Sequence, residues 1–228
     1  MRTLINAVIL AMFVVTFSRP SHVAAQEQFS YVDLASKTNR NLNDDLGTGR
    51  PGNTLSALPT GEQTFGGIKF KIGPGAMLLG STELQSLPDK IEGIAVERKF
   101  AKLHILHATN FGGGLNKPGD DWYVKDGTLI GQYMVHYEDG SAEGVPIVFG
   151  KDVRDWWYVD GEAETSRGKV VWRGENGAAS EFGAHIRLYA STWTNPKPDK
   201  KVLRIDYVSR KRETPAAPFC LALSLQGN

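Results

Sequence analysis

The sequence predicts an all-β protein built as an antiparallel two-sheet β-sandwich, and three observations predict it. Segments with period-two alternation or high β-propensity recur from Phe29 to Leu225, while helical periodicity is scarce. Clusters of Gly, Pro, Asn and Asp separate them and supply the positive φ and missing amides that turns use. The clearest segments carry one apolar and one polar face, the signature of antiparallel sheets whose inner faces meet.

In chain order the strand segments are Phe29–Leu34, Gln63–Ile72, Met77–Gly80, Lys99–Ala108, Gly131–Tyr137, Gly144–Phe149, Arg154–Tyr158, Lys169–Arg173, Ala184–Trp193, Val202–Ser209 and Phe219–Leu225. Leu42–Glu62 and Asn110–Gly127, rich in Gly, Pro and Asp, read as surface loops. Asp139-Gly140 between Tyr137 and Gly144 is a hairpin signal, because glycine accepts the positive φ of such turns. The two prolines of Asn195-Pro196-Lys197-Pro198-Asp199 fix φ and withdraw donors, so this stretch is a turn. In Ala184–Trp193, Ala184, Ile186, Leu188 and Ala190 share one face, and His185, Arg187, Tyr189, Ser191 and Trp193 share the other. The first set is expected inside and the second toward water.

With 228 residues, 41% of them apolar, the chain can bury a sizeable core. A formal charge of +1 speaks against a nucleic-acid binder, which needs a basic excess or stripe. A lone Cys220 excludes a disulfide framework and a thiolate zinc cluster, and in a strand-like run it reads as a packing residue. Arg2, the apolar run Leu4–Phe17 and Val23-Ala24-Ala25 read as a signal peptide over residues 1–25, cleaved after Ala25. The apolar run is too short for a membrane span, which takes about 20 residues. The expectation is a secreted or periplasmic chain with a single domain over residues 26–228 and no transmembrane segment once the leader is gone.

Several motifs occur in a recognisable order: Leu58-Pro59-Thr60-Gly61-Glu62-Gln63-Thr64-Phe65-Gly66-Gly67-Ile68, then Ile91-Glu92-Gly93-Ile94, then His104-Ile105-Leu106-His107-Ala108-Thr109. Tyr137-Glu138-Asp139-Gly140, Arg154-Asp155-Trp156-Trp157 and Trp193-Thr194-Asn195-Pro196-Lys197-Pro198 follow. This succession resembles a family of bacterial galactose-binding-like jelly-roll domains, found in exported proteins and beside carbohydrate-active enzymes. The resemblance implies a jelly roll and, as a function, carbohydrate binding; it carries no catalytic signature.

No G-x-S-x-G elbow, phosphate-binding P-loop, H-E-x-x-H helix or C-x-x-C pair occurs. His104 and His107 are three apart on a strand, so they face opposite ways and do not suit one metal. Asp44-Asp45 and Asp120-Asp121 are solvated acidic turns on the simplest reading, with a structural Ca²⁺ as the alternative; no other cofactor is implied. Sugars offer C–H-rich faces to flat rings and hydroxyls to planar polar groups. The candidate ligand-binding residues are therefore His185, Arg187, Tyr189 and Trp193, with Asp155 and Trp157, and the expected partner is a carbohydrate or glycan polymer. In a regular strand one of Trp156 and Trp157 must point inward. Two other functions stay open: a polysaccharide hydrolase or lyase using a group near His107, His136 or Asp155, and an envelope interaction module without a small ligand.

Overall fold

The computed structural model of the chain describes residues 28–113 and 117–227; the expected leader and its cleavage point lie outside them. The strands are β1 (Phe29–Tyr31), β2 (Arg40–Asn41), β3 (Gly61–Phe65), β4 (Ile68–Ile72), β5 (Gly75–Leu78), β6 (Lys90–Arg98) and β7 (Lys102–Asn110). They continue as β8 (Leu129–Tyr137), β9 (Ala142–Val148), β10 (Trp157–Tyr158), β11 (Lys169–Gly174), β12 (His185–Thr194), β13 (Val202–Ser209) and β14 (Ala217–Gln226). One helical turn, α1 (Gly177–Ser180), precedes β12; its Asn176 side chain caps the Ala179 amide at 2.7 Å. The chain is all-β.

The strands form an eight-stranded sheet in the order β10-β12-β7-β14-β5-β2, with β1 beside β14 and β11 beside β12. A four-stranded sheet runs β6-β13-β8-β9, and β3 and β4 make a separate hairpin. Every pairing between named strands is antiparallel. Asp139-Gly140 turns the chain between β8 and β9 as expected: Gly140 has φ +82°, and Asp139 Oδ1 accepts the Ser141 amide at 3.0 Å. The two sheets meet through aromatic residues. Tyr133 of β8 stacks on Tyr207 of β13 at 4.6 Å between centroids and lies 6.4 Å from the His107 ring of β7. Cys220 of β14 is buried there too, and loss of water pushes its thiol up to about 12, beyond nucleophilic use near neutral pH.

The large sheet is covered on both faces, and this corrects the reading of β12. The small sheet covers one face; the stretch 42–58 and the β3–β4 hairpin supply Leu46, Leu55 and Phe70, all fully buried, to the core. β14 is consequently buried at all ten positions, and β12 from Ile186 through Ser191. Tyr189, expected toward water, is 1% exposed. Alternation separates inside from outside only where one face is wet. Here it separates two interiors.

A second departure is β6, absent from the strands expected above. It is an edge strand with only Ile94 and Val96 buried, and Gly93 at φ +68° breaks its register against β13. That bulge removes the period-two pattern. The expected strand Gln63–Ile72 is instead a hairpin, turned at Gly66 and Gly67, both with positive φ.

Beyond the Tyr189–His107 pair, β7 and β12 part. The segment 155–157 fills the gap: Trp156 donates its amide to Thr109 O at 2.9 Å and its carbonyl accepts from the Arg187 amide at 2.7 Å. A parallel bridge joins Thr109 to Asp155, and Trp157 pairs with Ile186. This wedge positions the site described next.

Candidate functional site

Alternation within the wedge sends consecutive side chains opposite ways. Trp156 points inward, 1% exposed, edge-on to Phe219 at 5.8 Å, with its indole N–H donating to Asn110 Oδ1 at 2.8 Å. Truncating such a ring costs about 3–5 kcal/mol. Trp157 points the other way, half-buried, and its indole N–H donates to Asn53 Oδ1 at 3.0 Å. Asp155 is buried, and its Oδ1 accepts the Trp157 amide at 2.9 Å.

Asn53 is held by its own loop. Asp45 gathers the turn by accepting the amides of Gly47 and Gly49 at 2.9 and 2.8 Å and the Thr48 hydroxyl at 2.9 Å. Asn53 Nδ2 then donates to Thr48 Oγ1 at 2.7 Å. The Asp45 oxygens thus face hydrogen-bond donors, the opposite of what a cation needs. Asp120 is likewise engaged, accepting the Lys117 amide at 2.8 Å. Among the described residues no group of three or more His, Cys, Asp or Glu side chains is placed to hold a metal.

Opposite this loop, β7 ends in a tight turn. Phe111 has φ +68°, a conformation that costs an ordinary side chain about 1–2 kcal/mol. Gly112 follows at φ +86°, where a Cβ would stand 2.8 Å from the Phe149 ring, so only glycine fits. A Cβ on Gly113 would lie 2.6 Å from Asp155 Oδ2, so the turn packs directly on that carboxyl group.

These pieces enclose a half-open cleft of about 340 Å³ whose lining includes Arg50, Asn53, Glu83, Phe111, Trp122 and Trp157, with Asp155 and Trp156 at its floor. Trp122 rests on Phe111 at 5.7 Å, and Trp157 lies 5.9 Å from Phe182, which carries the Arg50 guanidinium 4.8 Å above its ring. Trp122 and Phe182, 49% and 58% exposed, are the large apolar side chains most open to water among the described residues. Trp122 lines this cleft, and Phe182 stands behind its other side, against Trp157 and Arg50. Burial pushes the Asp155 carboxyl up to about 7; the amides of Trp157 and Gly113 and the charge of Arg187 oppose the rise, and Glu162 adds to it.

The residues expected to bind ligand do not form one patch. Asp155 and Trp157 meet in the cleft just described. Arg187 and Tyr189 line a second, more polar cleft of about 490 Å³ with Tyr158 and Glu162. There Arg187 is buried and ion-paired with Glu162 at 2.5 Å, its guanidinium 4.9 Å from the Tyr158 ring centre. His185 sits at the edge, 5.5 Å from the Tyr158 ring. Trp193 lies at the far end of β12, half-buried, 6.5 Å from Phe100.

Arg50, Phe111, Trp122 and Phe182 were missed because they lie in or beside segments read as loops. The available signal was Trp122 itself, a large ring in an acidic, Gly- and Pro-rich stretch with no strand to bury it. His104 and His107 take separate hydrogen bonds, the first to Thr192 and Gln226 at 2.8 and 3.0 Å, the second to Ser191 at 2.9 Å. Comparison with protein-family models, with curated proteins and with solved structures returns no match.

Proposed function

We propose that the chain is an exported carbohydrate-recognition protein whose ligand lies in the cleft between Phe111–Trp122 and Trp157–Phe182. One observation carries this reading: two aromatic pairs, each with a ring left open to water, stand about a concave site that also presents Arg50 and Glu83. A folded chain leaves such rings wet at a cost, and flat rings beside charged planar groups match the two-sided chemistry of a sugar. Each ring covering about 80 Å² of apolar surface supplies about 2 kcal/mol at ~25 cal/mol/Å². Two or three such rings reach the roughly 4 kcal/mol that millimolar binding takes, before hydrogen bonds are added. The jelly-roll resemblance and the expected leader support the same reading.

The hydrolase reading has one observation in its favour, a carboxyl group in the cleft that holds a proton near neutral pH. Its Oδ1 accepts the Trp157 amide at 2.9 Å, which suits a structural role better than proton donation. Screening the chain and its Trp122→Ala and Phe182→Ala variants on a glycan array tests recognition. The expected result is oligosaccharide hits that fade in both variants. A blank array for the wild-type chain rejects carbohydrate binding, and reducing ends released by wild type but not by Asp155→Asn would favour the hydrolase.

A further inference from the structure

We propose that Asn53 is the positioning residue for the wall of the cleft made by Trp157, Phe182 and Arg50: its side-chain amide fixes the Trp157 ring and occupies the indole N–H, so a sugar meets that ring by its carbon surface alone. The consequence for ligand rests on the carbohydrate reading above; the holding itself does not. Asn53 is fully buried beneath the cleft. An indole only donates, so the amide oxygen must face Trp157, as it does at 3.0 Å, and the amide nitrogen is left to donate. It donates to Thr48 Oγ1 at 2.7 Å and to Asp45 Oδ1 at 3.3 Å. The Thr48 hydroxyl in turn donates to Asp45 at 2.9 Å, and Asp45 gathers the Gly47 and Gly49 amides. One side chain thus joins a self-bonded turn to a ring 104 residues further along the chain.

The same turn carries the rest of the wall. The Asn53 backbone N–H donates to Arg50 O at 3.2 Å and its carbonyl accepts the Leu46 amide at 3.0 Å, so the backbone at Arg50 is set by the same residue. Thr54 O accepts from Asn176 Nδ2 at 3.1 Å, which ties the turn to α1, and Phe182 follows that helix. Phe182 in turn lies against Trp157 and under the Arg50 guanidinium. Trp156 is served separately: it donates to Asn110, whose own Nδ2 donates to Leu46 O at 3.1 Å. A ring fixed before the ligand arrives spares binding the entropy of ordering it. Hydrogen bonds to sugar oxygens at this wall then come from Arg50 rather than from the indole.

Exchange of the indole N–H hydrogens, followed by ¹⁵N NMR on the ligand-free chain, reads the hold. In Asn53→Ala the Trp157 signal is expected to exchange about tenfold faster, while Trp156, bonded to Asn110, keeps its rate. Asn53→Asp keeps the accepting oxygen but loses the donor and stands against Asp45. It should be no more stable than Asn53→Ala and yet keep the Trp157 signal protected. Affinity for an oligosaccharide from the array should fall about tenfold in Asn53→Ala, about tenfold in Trp157→Phe and no further in the double variant, because both singles break the same bond. Trp157 protection that survives in Asn53→Ala, or that is lost in Asn53→Asp along with stability, overturns the proposal. So does an Asn53→Ala loss of affinity equally large in the Trp157→Phe background. Because exchange needs no sugar, a blank array with the Trp157 signal released in Asn53→Ala would reject the binding reading and leave the holding role standing.

Discussion

Replacing Asp155 by Asn should make the folded chain more stable above pH 7 and expose an acid weakness that Asp155 conceals. The Asp155 carboxyl is raised from an ordinary 3.8 to about 7. Between those values the folded chain holds a proton that the unfolded chain has released, so stability falls as pH rises through that window. A shift of about three units corresponds to about 4 kcal/mol. His107 acts in the opposite sense: burial lowers it from 6.5 to about 4, against a smaller raising effect of Asp152. Between pH 4 and 6.5 the unfolded chain holds the proton that folded His107 lacks, and stability rises with pH by about 3 kcal/mol. The two slopes nearly cancel in wild type from about pH 4 to 6.5, and only the Asp155 loss remains above.

In Asp155→Asn the first slope vanishes. The gain at pH 8 is about 2 kcal/mol once about 1–2 kcal/mol is subtracted for an amide NH₂ facing a backbone N–H. For a chain of this size that raises Tm by about 4–8 °C. Urea unfolding at five pH values from 4.5 to 8.5 measures both slopes. The variant should lose stability steadily below pH 6.5 while wild type stays nearly level. Parallel profiles for the two chains would refute the assignment of the buried proton to Asp155.

Gly112→Ala forces a side chain into positive φ against the Phe149 ring and should cost at least about 2 kcal/mol in urea unfolding. Asn53→Ala leaves the Trp157 indole N–H without its acceptor and frees the Asp45 loop; a loss of about 1–3 kcal/mol by thermal melting is expected. Trp122→Ala should leave Tm within about 1 °C, because the ring is half exposed, yet weaken binding of an array hit about 30-fold in calorimetric titration. Trp193→Ala, far along β12, should leave that affinity unchanged, and a loss there would return the site to the face first expected from the sequence.

The all-β architecture was legible because turns are chemically explicit: Asp139-Gly140 and the prolines near Asn195 announce where strands end. The opposition of Trp156 and Trp157 was legible too, since it follows from strand alternation and the structure places one ring inside and the other half-exposed. The exposure of Tyr189 was not. Its strand lies between two covered faces, and nothing local in His185–Thr194 records that the loop after β10, with Glu162, and the start of β11 lie against Arg187 and Tyr189. The cleft escaped for a related reason. Its walls come from loops around residues 50, 83, 111 and 122, brought together with a wedge segment whose pairing with both β7 and β12 is a long-range event. Sequence could mark Trp122 as unusual, but not name its neighbours.

The chain has five tryptophans, Trp122, Trp156, Trp157, Trp172 and Trp193, so its indole N–H resonances form a small map of the surface. Titrating a ¹⁵N-labelled sample with an oligosaccharide identified on the array should shift the signals of Trp122 and Trp157 and leave Trp172 and Trp193 where they were. Movement of Trp193 or Trp172 with Trp122 and Trp157 unmoved would contradict the placement of the binding site in this cleft.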